Sequence, residues 1–185
     1  MSHIHTQPGQ HDLTASAFII RTDGTEPKVM LHHHLKAGVL LQFGGHIELD
    51  ESPWHGLLRE LREESGYDVD QLCVLQPPGG FFADFTDSQN QPVPFTINTH
   101  RFMQEHHFHS DLVYAATASE APNIKLDPRE SASIHLFTLA QLSTIPSTEI
   151  YEETRTHAIY LLSQLLHMWE TVPAIKWITH ASPNS

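Results

Sequence analysis

The stretch that decides the fold reads Gly45-His-Ile-Glu-Leu-Asp-Glu51-Ser-Pro-Trp-His-Gly-Leu-Leu-Arg59-Glu60-Leu-Arg-Glu63-Glu64-Ser-Gly66-Tyr67. Its apolar residues recur at i, i+3, i+4 and i+7, namely Trp54, Leu57, Leu58 and Leu61. Ser52 is a suitable N-cap, Pro53 suits the first helical position, and Gly66 suits the C-terminal stop. The pattern therefore predicts a helix over residues 52–65.

Three carboxylates lie on one face of this predicted helix. Glu60, Glu63 and Glu64 are spaced by three and four residues, so neighbouring β-carbons are roughly 5–6 Å apart. Their face lies about a third of a turn from the leucine stripe, which allows the leucines to be buried while the carboxylates converge beside a sheet. Like charges repel one another on a helix, and a divalent cation removes this conflict. An all-oxygen ligand set suits Mg²⁺ together with substrate phosphates.

The chemistry that such a site supports is metal-assisted attack of water on a phosphorus atom. The ions would neutralise phosphate charge, orient a diphosphate and acidify a water molecule. The alternative interpretation is a solvated acidic helix face, which is the more common meaning of an isolated Glu-x-x-Glu-Glu pattern. Here the pattern is part of a longer motif.

The whole stretch resembles the Nudix box, Gly-x5-Glu-x7-Arg-Glu-U-x-Glu-Glu-x-Gly-U, in which U is a bulky apolar residue. Every defined position matches, through Gly45, Glu51, Arg59, Glu60, Leu61, Glu63, Glu64, Gly66 and Tyr67. Seven fixed residues at typical frequencies near ~6% coincide by chance on the order of once in 10⁸–10⁹ trials. The resemblance extends over roughly residues 12–170, because the apolar run before the glycines and the order of elements after the box are also similar to a Nudix domain.

The resemblance implies an α/β fold, an α/β/α sandwich with a mixed β-sheet in which the box forms a loop–helix–loop. It also implies cleavage of nucleoside diphosphates linked to another moiety, with Mg²⁺ or sometimes Mn²⁺ as the cofactor. We expect one Nudix hydrolase domain over residues 12–172. A flexible N-terminal segment (1–11) would precede it, and a C-terminal tail (173–185) would follow.

By the same resemblance, Glu60, Glu63 and Glu64 are the catalytic carboxylates and the metal ligands. The backbone carbonyl of Gly44 is a further candidate ligand, because similar enzymes place a backbone oxygen at this position. Glu48 stands where many relatives have a glutamate, whose role varies among them.

Other residues of the box have supporting roles. Arg59 is expected to orient the carboxylates by a salt bridge rather than to touch the substrate. Glu51 would brace the loop or Arg59, or reach the metal through water. Gly45 and Gly66 allow the loop to bend tightly and the helix to stop. Many relatives have proline before the two glycines, whereas this chain has Phe43.

The general base is not decided by the box. In some relatives it is a box glutamate, and in others it is a glutamate from a loop beyond the central strands. Glu130 precedes the apolar run 133–138, where such a loop would return to the sheet, and Glu120 is the second choice.

Apolar runs elsewhere predict strands at residues 13–21, 28–33, 39–43, 69–75, 95–103, 111–118 and 133–138. Gly44-Gly45 is expected to interrupt the third run, and a long helix is predicted from Glu149 to Glu170. Residues 77–94 form a predicted long loop, a kind of segment that is usually functional or mobile. Its phenylalanines Phe81, Phe82 and Phe85 would either stack on a base or pack locally.

The chain contains 16 histidines. His32–His34 follow a predicted strand, and we interpret them as exposed residues at its end. His107, His109 and Asp111 share one face of an extended strand, because side chains alternate. His109 and Asp111 are candidate substrate-binding residues. The histidines would form a polar wall against the substrate or a second metal site, or they are ordinary polar residues. Their pattern resembles a little-characterised bacterial Nudix subgroup.

Composition limits the classes of partner. The 185 residues, 39% hydrophobic and 17% charged, predict one folded domain. The formal charge of −12 argues against binding to nucleic-acid polymers or anionic membranes. Cys73 is the single cysteine, so no intrachain disulfide forms and a reducing, cytoplasmic setting is expected. No secretory signal pattern and no apolar run of ~18 residues is present.

These observations favour a Mg²⁺-dependent hydrolase of a small nucleoside diphosphate derivative, either a nucleoside triphosphate or an ADP-ribose-like compound. A homodimer is compatible with the apolar C-terminal helix. The alternatives are removal of RNA 5′ ends, against which the acidic charge argues, and a histidine-rich metal-storage protein. A non-catalytic Nudix-fold nucleotide sensor is a further alternative, although degenerate boxes usually accompany that role.

Overall fold

The computed structural model describes residues 7–80, 88–101, 107–125 and 133–178. The strands are β1 (His11–Arg21), β2 (Lys28–His33), β3 (Leu40–Leu41), β4 (Phe43–His46), β5 (Cys73–Gln76), β6 (Thr96–His100), β7 (Phe108–Ala118), β8 (Ile134–Phe137) and β9 (Glu170–Pro173). The helices are α1 (Pro53–Ser65), α2 (Leu139–Leu142), α3 (Glu152–Tyr160) and α4 (Leu166–Met168). A π-helical turn (Leu161–Leu165) joins α3 to α4, and 3₁₀ turns occupy Val69–Gln71 and Ala174–Trp177.

The strands of the described residues form one mixed sheet around two long central strands. β1 and β7 are parallel over their whole length, from His11 beside Phe108 to Arg21 beside Ala118, and the other pairings are antiparallel. β4 and β6 flank the first halves of β1 and β7, whereas β2 and β5 flank the second halves. The sheet therefore divides at its centre, and the loop that leads to α1 lies beside the first half of β1.

Helices cover both faces of the sheet, as predicted for an α/β/α sandwich. Ala15, Ala17 and Ile19 of β1 belong to the core shared with α1. The alternating residues Phe18 and Ile20 belong to the core shared with α3 and the π-helical turn. Because side chains alternate along a strand, one apolar run of β1 supplies both layers.

The predicted helix of the box is α1. Its N-cap is Ser52, whose hydroxyl accepts a hydrogen bond from the His55 N–H at 3.3 Å, and its C-cap is Gly66, with a φ of 77°. Leu57 and Leu61 are fully buried beneath the helix. Burial of each leucine side chain contributes about 1.5–3 kcal/mol, which holds α1 against β1 and β4.

Gly44 and Gly45, at the start of the box, lie within strand β4 rather than interrupting a strand. Gly44 has a φ of 144°, and a β-carbon there would lie 2.3 Å from the carbonyl oxygen of Ala15 in β1. Glycine therefore allows close pairing of β4 with β1. The predicted strand 69–75 also differs, since residues 69–71 form a 3₁₀ turn and β5 begins at Cys73.

The C-terminal part differs from the predictions at both ends of the long helix. The helix begins at Glu152 rather than Glu149, and Glu170 opens β9, which pairs with β5. Ala174 and Trp177 are buried in the core beside α1, although they fall in the predicted tail 173–185. The folded core therefore continues beyond residue 172, because β9 pairs with the edge of β5 and holds the residues that follow it against α1. Within the described ranges, no helix is both long and apolar enough to cross a membrane.

Candidate active site

A cavity of about 1010 Å³ lies where the first halves of β1 and β7 meet the loop before α1 and the start of α3. This volume is at the upper end of the range for small-molecule sites, roughly 300–1,000 Å³. Most of the site residues predicted from the sequence contribute to its lining. They are Gly44, Gly45, Glu51, Arg59, Glu60, Glu63, Glu64, His109 and Asp111.

Two carboxylates of α1 reach the cavity past the glycines of β4. The N–H of Gly44 donates a hydrogen bond to Oε2 of Glu64 at 2.9 Å. A β-carbon on Gly45 would lie only 2.6 Å from Oε1 of Glu60. Gly45 does not have a positive φ, so the tight bend that we predicted is not its role. Its role is to leave room for the Glu60 carboxylate. Glu63 extends further into solvent, with its side chain half exposed.

Arg59 connects the carboxylates, as predicted. Its guanidinium binds Glu51 through Nε to Oε1 at 2.8 Å and through a terminal nitrogen to Oε2 at 3.1 Å. It also donates to Oε1 of Glu60 at 2.7 Å and lies 3.7 Å from Oε2 of Glu63. A further hydrogen bond of 3.1 Å reaches the carbonyl oxygen of His46. These contacts tie the guanidinium to the loop before α1 and to the glutamates of the helix.

The charge of this region favours a cation. The hydrogen bond from Arg59 lowers the pKa of Glu51, whereas burial raises the pKa of Glu60. The Arg59 contacts oppose the shift at Glu60, and the charges of Glu63 and Glu51 reinforce it. Five glutamates of the box region line the cavity together with Arg59, namely Glu48, Glu51, Glu60, Glu63 and Glu64, and three of them (Glu51, Glu60 and Glu63) lie within ion-pair distance of its guanidinium. The carboxylates outnumber the positive charges here, and Mg²⁺ prefers carboxylate oxygens as ligands. The residues present therefore fit such an ion.

The structure separates the candidates for the general base. Glu130 lies outside the described residues. Glu120 is exposed beyond the far end of β7, where its carboxylate accepts a hydrogen bond from Gln71 at 3.2 Å. It does not line the cavity, so the second choice was wrong, because the cavity lies at the opposite end of that strand. Glu153, at the start of α3, does line the cavity.

Sequence reasoning missed Glu153 because no local pattern links it to the box. Pairing between Leu40 and Ile150 brings the chain before α3 to the edge of β3. The N–H of Leu40 also donates a hydrogen bond to the carbonyl oxygen of Glu149 at 2.8 Å. These long-range contacts hold the start of α3, with Glu153, beside the cavity.

His109 and Asp111 lie on the cavity wall, on the face of β7 predicted from their alternation. Asp111 is buried, and its two carboxylate oxygens accept hydrogen bonds from Thr14 at 3.0 Å and Ser16 at 2.7 Å. Burial raises the pKa of Asp111, and these two hydrogen bonds oppose the rise. Asp111 therefore fixes two hydroxyl groups of β1 in the wall.

The predicted exposure of the first histidine cluster was wrong for His32. Only 1% of its surface is exposed, and its ring lies 4.8 Å from that of Phe43. Burial lowers the pKa of His32 to about 4. The reason is that β2 pairs at His32 with β3 on one side and β8 on the other, and that His32 lies on the same face as Met30, beside the core that contains Phe43. The phenylalanines of the 77–94 loop, Phe81, Phe82 and Phe85, lie outside the described residues.

The fold and the cavity define an α/β sandwich with a carboxylate-lined site at the end of a sheet-covering helix. The NUDIX domain family matches residues 10–157 of the chain. The protein therefore belongs to the Nudix family, and its class is that of the Nudix pyrophosphohydrolases.

Solved structures of Nudix proteins share this fold. A NUDIX-family hydrolase from Clostridium perfringens is 26% identical, with a TM-score of 0.66, and the match covers 82% of this chain and 96% of that one. A C. elegans Ap4A hydrolase is 16% identical, with a TM-score of 0.61 and coverage of 84% and 98%. A MutT NUDIX hydrolase from Burkholderia pseudomallei is 17% identical, with a TM-score of 0.52 and coverage of 92% and 99%. Among curated proteins, none matches the chain significantly in sequence.

Proposed function

We propose that this protein is a Mg²⁺-dependent hydrolase of a small nucleoside diphosphate derivative, with Mn²⁺ as a substitute ion. The substrate class includes nucleoside triphosphates and ADP-ribose-like compounds. The observation that carries the proposal is the convergence of Glu60, Glu63 and Glu64 on a cavity of about 1010 Å³. Water attacks one phosphorus atom of the diphosphate, the bridging P–O bond breaks, and two phosphate-containing products leave.

The residues of the box would hold the metal. Glu60, Glu63 and Glu64 supply carboxylate oxygens, and the carbonyl of Gly44 supplies a backbone oxygen. When bound, the ion neutralises phosphate charge and polarises the attacking water. Arg59 keeps the carboxylates of this cluster in place through its contacts with Glu60 and Glu63.

The wall of the cavity formed by β1 and β7 would bind the rest of the substrate. His109 presents an imidazole there, and Asp111 acts through the hydroxyl groups that it fixes. Lys36 and Arg101 also line the cavity, and they supply positive charge for a phosphate group. Tyr151, 44% exposed at the rim, offers a ring on which a base could stack.

The proton of the attacking water needs an acceptor. Two glutamates outside the box are candidates, Glu130 and Glu153, together with the carboxylates of the box itself. A general base contributes typically 10²–10⁴-fold to the rate. We therefore expect one of the variants Glu130→Gln and Glu153→Gln to lose about that factor if the base lies outside the box.

The proposed partner is a small nucleotide-type molecule rather than a nucleic-acid polymer, in keeping with the charge of −12. The C. elegans neighbour is named an Ap4A hydrolase. The single cysteine leaves the cytoplasm as the proposed location, and a homodimer is the proposed assembly.

The test is release of phosphate or pyrophosphate from a panel of nucleoside triphosphates and nucleoside diphosphate derivatives. Each substrate is assayed with Mg²⁺, with Mn²⁺ and with EDTA. We expect metal-dependent turnover that falls by ~10²–10³-fold in Glu64→Gln, because a metal ion contributes several kcal/mol to stabilising the transition state.

The matched control is Glu120→Gln, which changes an exposed glutamate outside the cavity and should leave turnover unchanged. Circular dichroism and a thermal unfolding curve check that each variant is folded. The proposal is contradicted if the folded protein turns over no member of the panel, or if Glu64→Gln retains full activity.

A further inference from the structure

A second group of potential metal ligands lies in the sheet, apart from the carboxylates of the box. It consists of Asp12 in β1, His46 in β4, His107 immediately before β7, and His109 in β7. We call these four residues the histidine cluster. We propose that the histidine cluster binds a divalent transition-metal ion of the Zn²⁺ type.

The sheet register brings these residues together from three separate segments. Asp12 is the direct partner of His109 in the β1–β7 pairing. His46 is the partner of Thr14 in the β1–β4 pairing, and Thr14 lies two residues after Asp12. Residues two apart on a strand lie on the same face, so Asp12, His46 and His109 face one side of the sheet. His107 precedes His109 by two residues and lies against it.

The ligand atoms have the spacing of a metal centre. Nε2 of His107 lies 3.1 Å from Nε2 of His109. Oδ2 of Asp12 lies 3.4 Å from Nε2 of His46 and 3.8 Å from Nε2 of His107. One ring nitrogen from each histidine falls within 4.8 Å of the others. In a tetrahedral zinc site with bonds of 2.0–2.1 Å, ligand atoms are ~3.3–3.4 Å apart, so small side-chain rotations complete the geometry.

Burial supplies an independent reason for an ion. Asp12 and His107 are each 5% exposed, and His109 is 7% exposed. No donor among the described residues is aligned for a hydrogen bond to Oδ2 of Asp12, although this atom is buried. A buried carboxylate oxygen without a hydrogen bond destabilises the folded state, because it has lost its contacts with water. A cation among the four side chains would remove this cost and would accept lone pairs from the imidazoles.

The donor set selects an ion different from that of the box. Three imidazole nitrogens and one carboxylate suit Zn²⁺ and similar transition metals, whereas Mg²⁺ takes oxygen ligands. His46 and His109 also line the cavity, so the bound ion would border the substrate. In that case His109 would contact the substrate through the ion rather than by its own ring. The carbonyl of His46 accepts a hydrogen bond from Arg59, which places the two sites side by side.

The test is zinc binding by the full-length protein after removal of metal with a chelator. Zn²⁺ is titrated by calorimetry in excess Mg²⁺, which occupies the carboxylates, and bound zinc is counted by atomic spectrometry. We expect one tightly bound Zn²⁺ per chain and a higher thermal midpoint when it is bound. His107→Ala and His109→Ala should weaken binding by at least ~10²-fold, since loss of even a supporting partner costs 10–100-fold.

Two further variants serve as a control and as a second test of the site. His167→Ala removes an exposed histidine of α4 and should bind zinc as the wild type does. Asp12→Asn keeps the side-chain shape and should weaken binding even if a histidine variant fails to fold. Co²⁺ bound to the wild type should give the visible absorption of a tetrahedral site, which should be lost in Asp12→Asn.

Equal zinc affinity in the wild type, Asp12→Asn and His109→Ala would overturn the proposal, because the ion would then be held by other histidines of the chain. Absence of tight binding in the wild type would also overturn it. Neither readout depends on turnover, so failure of the proposed hydrolase activity would leave this test intact.

Discussion

At the scale of single residues, the candidate site depends on atoms that glycine lacks. Gly44 lies against the backbone of β1, and Gly45 lies against the carboxylate of Glu60. Glu60 is held in turn by the hydrogen bond from Arg59 at 2.7 Å. A side chain at Gly45 would therefore displace a candidate metal ligand and strain its ion pair.

Gly45→Ala should lower the activity strongly and the stability only slightly. The new β-carbon would lie 2.6 Å from Oε1 of Glu60, so this carboxylate must move while the fold accommodates a flexible side-chain end. We expect a loss of about 10²-fold in kcat/KM, as for a 1 Å misplacement of a catalytic group. The free energy of unfolding should fall by about 1–2 kcal/mol, in the range of mild overpacking. Steady-state kinetics and urea unfolding measure the two quantities.

Gly24→Ala is the matched control for this substitution. Gly24 has no positive φ, and a β-carbon there would meet only the carbonyl oxygen of Glu26 at 3.5 Å, an ordinary contact. Its kinetics should equal those of the wild type. Equal kinetics in Gly45→Ala would show that Glu60 does not need its observed position.

At the scale of elements, helix α1 has an apolar face for packing and an acidic face for the candidate site. Its apolar stripe anchors it in the core, and its acidic face supplies the carboxylates. The N-cap Ser52 lies two turns before Glu60 and does not itself line the cavity. The cap therefore concerns the stability of the helix rather than the geometry of the carboxylates.

Ser52→Ala should destabilise the protein without changing the site. The hydroxyl of Ser52 accepts the His55 N–H at 3.3 Å, and loss of an N-cap costs about 1 kcal/mol. For a chain of this size the thermal midpoint should fall by roughly 2–4 °C. Differential scanning calorimetry measures this change. Ser52→Asp retains a capping oxygen and should restore most of the midpoint, and an unchanged midpoint in Ser52→Ala would contradict the role of the cap.

At the scale of the whole molecule, burial of histidines makes stability depend on pH. The ring of His157, in α3, lies edge-on to Phe95 at 5.3 Å and to Phe18 at 6.1 Å. Burial lowers the pKa of His157, as it does for His32 and His34. The packing of α3 on the sheet creates this environment.

The free energy of unfolding should fall as the pH is lowered from 7 through about 6.5, the ordinary pKa of histidine. Below that pH the unfolded chain binds protons that the folded state does not, so protonation favours unfolding. His157→Phe removes one such group and should make the decrease shallower. Urea unfolding at a series of pH values, in EDTA, measures the slope, with the exposed His167→Phe as a control that keeps the wild-type slope. If the free energy of unfolding depended on pH equally in His157→Phe and His167→Phe, burial of His157 would not be a cause of the decrease.

Local patterns were sufficient for the parts of the fold that local interactions stabilise. The caps and stripe of α1 were predicted from adjacent residues, and so was the alternation of His107, His109 and Asp111. Long-range pairing decided the rest. β9 was not predicted, and only its first residue, Glu170, fell in the predicted long helix, because its strand conformation depends on the distant edge of β5. His32 was predicted as exposed, because its burial depends on the strands β3 and β8 that pair with β2 at this residue.

The sequence by itself determined the family, the box helix and the three carboxylates, since these follow from spacings within 23 consecutive residues, Gly45–Tyr67. Only the tertiary structure decided that Asp12 and His46 join His107 and His109, and that Glu153 reaches the cavity. The physical reason is that a helix fixes the relative positions of residues three and four apart. Residues on different strands meet only through the register of the sheet, which the packing of the whole core selects.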